Sequence, residues 1–207
     1  MQLLLIRHAQ NDYNRTGRLA GRLAGVHLNE EGARQARALG ERLASVNLQA
    51  LYSSPLERAV ETAREIARHH PALELQIEEG ISEVDVGKWA GQRLRQLARS
   101  RLWSIVQGYP SGAYFPAGEG IREMQARAVA VVERIASQHP YGRVAIVSHA
   151  DVIKAIVAHY AGIHLDLFQR LTVAPASISI INLHRRGPSI QCLNDISHYE
   201  GQQREGR

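Results

Sequence analysis

Leu3-Leu4-Leu5-Ile6-Arg7-His8 is an apolar run that ends in a cation and an imidazole. Such an unbroken run indicates a strand buried on both faces of a parallel sheet. A second run, Val144-Ala145-Ile146-Val147-Ser148, is followed directly by His149. Ligands bind in α/β folds beyond the carboxyl ends of the strands. If these two strands are neighbours, the sequence therefore predicts that the two imidazoles share one pocket.

Helical and extended segments alternate along the chain. A helix is predicted from residue 30 to about 45, because Asn29 is a good N-cap and acidic residues follow it in the first turn. Ser54 and Pro55 predict a second helix that starts with serine as the cap and runs to about His69. The other predicted elements are a long loop at 9–29, strands at 50–53, 73–77, 176–184 and 189–194, and helices at 92–106, 121–137 and 151–160. This alternation predicts an α/β fold, a three-layer αβα sandwich with a mostly parallel central sheet.

The composition fits one globular domain. The 207 residues predict a single domain, 1–207, with a small cap-like segment at about 78–120 and a tail that we expect to be frayed after about 198. No stretch reaches the ~18 apolar residues of a membrane span, and the N-terminal apolar run is too short for a signal peptide. The single Cys192 cannot form an internal disulfide. We therefore expect a cytoplasmic protein without a membrane partner.

The formal net charge of +5 comes almost entirely from arginine, since the only lysines are Lys88 and Lys154. Arginine binds phosphate in a bidentate manner, although a general bias in composition would explain the excess equally well. Nucleic-acid binding would require a basic cluster with interleaved aromatic residues. The arginines are instead scattered and aromatic residues make up 5% of the chain. We therefore expect no nucleic-acid partner.

Five residues could together handle a phosphoryl group, namely Arg7, His8, Arg58, Glu83 and His149. Arg7 and Arg58 supply forked donors for non-bridging oxygens, and the helix after His149 would add the positive end of its dipole. His8 offers a nucleophilic nitrogen if an acceptor holds its other nitrogen. Glu83 could protonate a leaving alkoxide if its pKa is raised. Each residue alone has an ordinary structural explanation, so the hypothesis depends on all five occurring together, and it requires no metal.

The motifs resemble those of the histidine phosphatase superfamily, the phosphoglycerate mutase-like proteins, and especially its short bacterial phosphatase-type members. The similar blocks are, in chain order, Leu5-Ile6-Arg7-His8-Ala9-Gln10-Asn11-Asp12-Tyr13-Asn14, Leu28-Asn29-Glu30-Glu31-Gly32, Tyr52-Ser53-Ser54-Pro55-Leu56-Glu57-Arg58-Ala59, Ser82-Glu83 with Gly87, Pro116-Ala117-Gly118-Glu119, and Val147-Ser148-His149. They cover roughly residues 3–195. The resemblance implies the phosphoglycerate mutase-like fold.

The resemblance also implies a role for each residue of the site. His8 would be the phosphorylated nucleophile, and Glu83 would be the proton donor and then the base that activates water. The substrate-binding residues would be Arg7, Asn14, Arg58, His149 and Ala150. The family needs neither a metal nor a cofactor, and the expected partner is a small phosphorylated metabolite.

Four positions depart from the family pattern. Ala9 and Ala150 replace glycines, although both are small enough to leave the phosphate pocket intact. Gln10 stands where glutamate is common, and the loss of that negative charge could admit a more acidic substrate. Gly120 takes a position where a capping serine is common, at a cost of a few tenths of a kcal/mol, roughly.

The short 78–120 segment favours a metal-independent phosphomonoester hydrolase, because it would leave the phosphohistidine open to water. The alternative is a cofactor-dependent phosphoglycerate mutase, whose longer insertions keep water out. A non-catalytic phospholigand sensor would require a broken constellation, and all five residues are present. Sugar phosphates, phosphoglycerates and α-ribazole phosphate all stay open as substrates.

Two apolar groups have more than one interpretation. The aromatic residues of the 78–120 segment could line a substrate pocket or pack a small cap over the sheet; they are Trp89, Trp103, Tyr109, Tyr114 and Phe115. Ile178, Ile180 and Leu183 could form an edge for pairing in a homodimer, or could belong to the core.

Overall fold

One mixed sheet organises residues 1–199, the part of the chain that the computed structural model describes. Its strands are β1 (Gln2–Arg7), β2 (Leu48–Ser53), β3 (Leu75–Ile77), β4 (Arg143–Ser148), β5 (Ile178–His184) and β6 (Gly187–Asp195). The strand order is β3-β2-β4-β1-β5-β6. The first four strands are mutually parallel, whereas β5 and β6 pair antiparallel. The predicted mostly parallel sheet is therefore confirmed.

Helices cover both faces of this sheet. They are α1 (Asp12–Arg15), α2 (Glu30–Leu43), α3 (Glu57–Ala67), α4 (Leu94–Leu97), α5 (Arg101–Gly108), α6 (Ile121–Gln138) and α7 (Ala150–Ala161). Short 3₁₀ turns lie at Glu79–Ile81, Gly87–Trp89, Pro110–Gly112 and Leu165–Arg170. No helix within residues 1–199 is long and apolar enough to cross a membrane.

The alternation of side chains along β1 explains the layers. Leu3 and Leu5 pack into a cluster with residues of α6 and α7, whereas Leu4 and Ile6 pack into a second cluster with residues of α2 and α3. Successive side chains of a strand point to opposite faces, and each fully buried leucine or isoleucine stabilises the fold by about 1.5–3 kcal/mol. The two-sided burial confirms the αβα sandwich that the apolar run predicted.

Several predicted element boundaries were wrong. α3 begins at Glu57 rather than at Pro55, and its N-cap Leu56 makes no side-chain bond. The reason is that the hydroxyl of Ser54 lies 2.7 Å from Nε2 of His149 instead of capping the helix. The loop predicted at 9–29 contains α1, which Asn11 caps by accepting a hydrogen bond from the Asn14 amide at 2.9 Å.

The helix predicted at 92–106 is in fact two helices, α4 and α5. Ser100 separates them, because its side chain accepts a hydrogen bond from the amide of Trp103 at 3.2 Å and so caps α5. Serine favours such a cap over a helix interior. Leu94, the first residue of α4, lines the cleft described below.

The two open questions about apolar groups are settled by packing. Trp89 stacks with Trp103 at a centroid distance of 6.3 Å and meets Phe115 edge-on at 5.3 Å, within the cluster on the α6 and α7 face. β5 lies between β1 and β6, so Ile178 does not belong to an edge strand.

The predicted frayed tail falls almost wholly outside the described residues; Tyr199 is buried and donates to the carbonyl of Pro175 at 2.7 Å.

Candidate active site

The two strands that end in histidine are neighbours. Arg7 of β1 lies in register with Ser148 of β4, and the amide of His8 donates to the Ser148 carbonyl at 2.9 Å. The rings of His8 and His149 consequently lie 5.1 Å apart, tilted by 57°. The adjacency inferred from the two apolar runs is thus observed.

The imidazole of His8 has a defined tautomer. Its Nδ1 lies 2.8 Å from the backbone oxygen of Ala9. A carbonyl oxygen only accepts, so Nδ1 carries the proton and Nε2 keeps a free electron pair. Burial, together with the positive charges of Arg58 and Arg7, holds the pKa of His8 well below its ordinary value. A neutral imidazole with a free Nε2 is the form that a nucleophile requires.

Buried cationic donors surround the His8 imidazole. Arg58 is 1% exposed, and its Nη2 donates to the carbonyl of Gly21 at 2.7 Å. Arg7 donates through Nη1 to the carbonyl of Val173, also at 2.7 Å. Burial lowers the pKa of both guanidinium groups, which nonetheless stay charged at neutral pH, as arginine does in proteins.

Several nitrogen atoms in this cluster have no hydrogen-bond partner among residues 1–199. They are Nε of Arg7, Nε and Nη1 of Arg58, and Nδ1 of His149. An unsatisfied buried polar group costs about 1–3 kcal/mol, and native structures rarely concentrate several in one place. Convergent donors of positive charge are suited to the oxygens of a phosphoryl group.

His149 is held at the start of α7. It is fully buried, it is the N-cap of that helix, and its Nε2 lies 2.7 Å from Oγ of Ser54. Burial and the nearby charge of Arg58 hold the pKa of His149 well below its ordinary value. If Ser54 donates to Nε2, the proton of the neutral ring resides on Nδ1, for which residues 1–199 provide no partner. The amides at the N-terminus of α7 add positive potential at the same place.

Glu83 supplies a carboxylic acid at the edge of the cluster. Burial and the negative charge of Asp151 raise its pKa to about 7, although the bond from the Val84 amide and the charges of Arg58 and Arg7 oppose this shift. Its Oε1 accepts the Val84 amide at 2.9 Å. A carboxyl group with a pKa near neutrality can both donate and accept a proton.

These groups border a cleft of about 390 Å³. The predicted site residues that line it are Arg7, His8, Asn14, Arg58, Glu83 and Ala150, and His149 lies directly beside His8. None of the five aromatic residues of the 78–120 segment is among its lining residues in the described chain, so the interpretation of those residues as pocket lining was wrong.

Sequence reasoning missed two contributors. Ser54 was interpreted as a helix cap, and its contact with His149 becomes visible only when β2 and β4 are paired. Asp151 lines the cleft next to Glu83 and makes a 3.5 Å ion pair with Lys154. Its position two residues after His149, in the first turn of α7, was a usable signal. Within residues 1–199 no group of three or more His, Cys, Asp or Glu side chains is arranged to hold a metal ion.

Comparison with known proteins assigns the family. Residues 3–196 match the family model described as "Histidine phosphatase superfamily (branch 1)". The chain is 32% identical to phosphoserine phosphatase 1 of Hydrogenobacter thermophilus, over 96% of this chain and 94% of that protein. It is 29% identical to the metal-independent phosphoserine phosphatase of Arabidopsis thaliana, over 95% and 82%. The structure of YhfR from Bacillus stearothermophilus superimposes with a TM-score of 0.89 at 27% identity, covering 96% and 99%.

The family match spans nearly all of the described chain and contains each of the strand-end residues that form the cluster. The chain belongs to branch 1 of the histidine phosphatase superfamily.

Proposed function

We propose that this protein hydrolyses phosphomonoesters without a metal, through a phosphohistidine on His8, with Glu83 as the proton donor. The observation that carries the proposal is the geometry around His8. A neutral imidazole with a free Nε2 lies among buried donors of Arg7, Arg58 and His149 that have no partner within residues 1–199. The two relatives named as phosphoserine phosphatases, one of them as metal-independent, support the same activity.

In the first step, Nε2 of His8 attacks phosphorus and a nitrogen–phosphorus bond forms as the ester oxygen–phosphorus bond breaks. Arg7, Arg58 and Nδ1 of His149 neutralise the charge on the equatorial oxygens, which is the main requirement of phosphoryl transfer. The leaving alkoxide takes a proton from the carboxyl group of Glu83. Because the pKa of Glu83 is about 7, a large fraction of the enzyme holds this proton at neutral pH.

In the second step, water attacks the phosphohistidine. Glu83, now a carboxylate, takes a proton from that water, phosphate leaves, and Nε2 of His8 regains its electron pair. Arg7 and Arg58 stay in place, since both are tied to backbone carbonyls. A phosphoglycerate mutase would stop before this step and return the phosphoryl group to a second substrate. The identity to phosphatases over nearly the whole chain favours hydrolysis.

The charges of the cleft favour an amino acid phosphate over a phosphoglycerate. The Asp151 carboxylate lines the cleft and would attract a substrate ammonium group but repel a carboxylate. Gln10 also lines the cleft and is a neutral amide, which tolerates a carboxylate on the same substrate. O-Phosphoserine carries both groups, and the two relatives described above are named for it. We therefore place O-phosphoserine first among the substrates.

The test is phosphate release in the presence of a chelator. The panel contains p-nitrophenyl phosphate, O-phosphoserine, a sugar phosphate, α-ribazole phosphate, and 3-phosphoglycerate with 2,3-bisphosphoglycerate. In the last mixture the formation of 2-phosphoglycerate is also measured. His8→Ala should lose about 10⁴-fold or more of the activity, whereas His184→Ala, at the exposed end of β5, should keep it. Isomerisation with little release of phosphate would establish the mutase instead, and absence of both reactions would leave a phospholigand sensor.

A further inference from the structure

The backbone of Glu83 is held by two arginines from distant parts of the chain. Its carbonyl oxygen accepts from Nε of Arg22 at 2.8 Å and from Nη2 of Arg127 at 3.1 Å. Arg22 belongs to the loop between α1 and α2, and Arg127 belongs to α6. The segment that carries the proposed acid is therefore fixed from two sides.

Glu119 joins these two arginines. Its Oε1 accepts from Nη2 of Arg22 at 2.8 Å and from Nη2 of Arg127 at 2.6 Å, and its Oε2 accepts from Nε of Arg127 at 2.9 Å. The same Oε1 also accepts the amide of Asp85 at 2.8 Å. The Glu119 side chain is 16% exposed, so solvent screens these bonds only in part. Glu119 thus connects the two arginines to the backbone on the far side of Glu83.

Arg22 has a feature that Arg127 lacks, because the residue before it, Gly21, is hydrogen-bonded to Arg58 of the proposed phosphate-binding cluster. The carbonyl of Gly21 accepts from Nη2 of Arg58 at 2.7 Å, and Gly21 lines the cleft. Gly21 has a φ of +55°, and a Cβ there would lie 2.5 Å from Cγ2 of Val86. Only glycine fits this close approach. One dipeptide, 21–22, therefore contacts both the arginine that would bind phosphate and the residue that would donate the proton.

We infer that Arg22, anchored by Glu119, is a positioning residue that fixes Glu83 at the leaving-group side of the phosphoryl group bound by Arg58. The inference rests on the proposed function, since it assigns Arg22 to the proton-transfer part of that reaction. Arg22 itself contacts the backbone of Glu83 and not its carboxyl group. Its removal should therefore loosen the placement of the acid without removing the acid or the phosphate donors.

The leaving group distinguishes this role from a general structural one. The alkoxide of O-phosphoserine must be protonated as it leaves, whereas p-nitrophenolate is a stable anion at neutral pH and needs little help. A misplaced acid therefore slows formation of the phosphohistidine selectively for the alkyl ester. Hydrolysis of the phosphohistidine is common to both esters, so kcat/KM, which reports the first step, isolates the effect. A loss of positioning of about 1 Å can cost up to about 10²-fold in rate, so we expect Arg22→Ala to lower kcat/KM for O-phosphoserine by about tenfold more than kcat/KM for p-nitrophenyl phosphate.

The experiment measures kcat and KM for both esters in the wild type, Arg22→Ala, Glu83→Gln and the double variant. Arg68→Ala is the matched control, because Arg68 also pairs with a glutamate, Glu65, and is not among the residues that line the cleft. If Arg22 acts through Glu83, the effect of Arg22→Ala on the alkyl ester should largely vanish in the Glu83→Gln background. Glu119→Gln, which weakens the anchor without truncating it, should show the same selectivity to a smaller degree.

The outcomes separate this inference from the proposed function. Equal losses of kcat/KM on both esters, or an undiminished effect of Arg22→Ala in the Glu83→Gln background, would overturn the positioning role while leaving the hydrolase established. No loss in Arg22→Ala would overturn it as well. If the wild type hydrolyses neither ester, the proposed function itself is wrong and the inference goes with it. Thermal unfolding of every variant excludes global misfolding as the cause of a loss.

Discussion

Two arginine clusters lie on either side of Glu83, and their hydrogen bonding differs. In the cluster beside His8, Arg58 uses one of its three nitrogens for a protein acceptor, and the other two have none within residues 1–199. In the cluster beside Glu119, every nitrogen of Arg127 donates, to the Glu119 carboxylate and to the carbonyls of Gly80 and Glu83. One cluster has binding capacity left for an anion, and the other is saturated.

The difference shows how one residue type serves two purposes. A buried arginine with free donors lowers stability, because the charge has lost water without gaining acceptors. A saturated arginine stabilises the fold through the pairs it makes. The pKa of Glu119 shows the effect of such pairing on a carboxylate. Burial alone would raise this pKa, but the bonds from Arg127 and from the Asp85 amide outweigh burial and lower it. The Glu83 carboxyl accepts only the Val84 amide and no arginine donor within residues 1–199, and its pKa rises.

The largest expected effect comes from the same substitution made in each cluster. Arg58→Met should lower kcat/KM by about 10²–10³-fold, the effect of removing one donor to a transition-state oxyanion. Its free energy of unfolding should stay unchanged or rise, because methionine replaces a buried, poorly paired cation. Arg127→Met should instead lower the free energy of unfolding by about 1–3 kcal/mol, since it leaves the carboxylate of Glu119 with fewer partners.

Urea titrations and p-nitrophenyl phosphate kinetics on both variants check this pair. Equal destabilisation by the two substitutions would contradict the difference in hydrogen bonding between the two arginine clusters. So would a loss of activity on p-nitrophenyl phosphate in Arg127→Met as large as that in Arg58→Met. Each variant thus serves as the control for the other.

The second largest expected effect is the dependence of folding stability on pH that Glu83 causes. The pKa of Glu83 is raised from an ordinary 4.5 to about 7 in the folded state. The unfolded chain therefore loses this proton at lower pH than the folded protein, and folding stability falls as the pH rises from about 4.5 through 7. The side-chain amide of the Glu83→Gln variant cannot ionise, so the variant does not lose stability in this way. We expect Glu83→Gln to be more stable than the wild type at pH 8, by up to about 3 kcal/mol.

The stability gain of Glu83→Gln should be smaller at pH 5 than at pH 8. Chemical denaturation at both values, with Glu133→Gln on the exposed face of α6 as the control, measures it. A gain that is equal at the two pH values would show that folding does not raise the pKa of Glu83.

The part of the site on strand ends was predictable from sequence. Arg7, His8 and His149 directly follow unbroken apolar runs, and parallel strands bring their carboxyl ends to one edge. Topology alone therefore predicted that these three residues lie together. Asn29 was equally predictable as a cap, and it accepts the Gly32 amide at 2.8 Å.

The supporting contacts were not predictable. Arg22, Glu83 and Glu119 lie on three irregular segments. The bond from Arg22 to the Glu83 carbonyl spans 61 positions of sequence, and the bond from Arg22 to the Glu119 carboxylate spans 97. No periodicity marks such contacts. The helix α1 did have a local signal that was overlooked, since Asn11 and Asn14 have the spacing of reciprocal capping and each accepts the other's amide. The misassigned start of α3 has the opposite cause, because a tertiary contact of Ser54 overrode its local preference.

The smallest expected effect probes the coupling between Asp151 and Glu83. Asp151 raises the pKa of Glu83, so Asp151→Asn should lower that pKa. The first step needs protonated Glu83, and the fall of kcat/KM with rising pH should therefore begin at lower pH in Asp151→Asn. The same variant loses the charge that we assign to the substrate ammonium, so KM for O-phosphoserine should rise several-fold, roughly, as expected for one partly exposed ion pair.

Two substrates separate these two effects of Asp151. The decline of kcat/KM with rising pH should shift for O-phosphoserine and hardly for p-nitrophenyl phosphate, whose leaving group does not depend on the Glu83 proton. KM for p-nitrophenyl phosphate should stay near its wild-type value. An equal rise of KM for both esters would mean that Asp151 shapes the cleft and does not recognise the ammonium group. An unchanged decline of kcat/KM with rising pH would mean that desolvation alone raises the pKa of Glu83. In that case the contrast between Glu83 and Glu119 would depend only on the donors that each carboxylate receives, and the acidic neighbour would have no part in it.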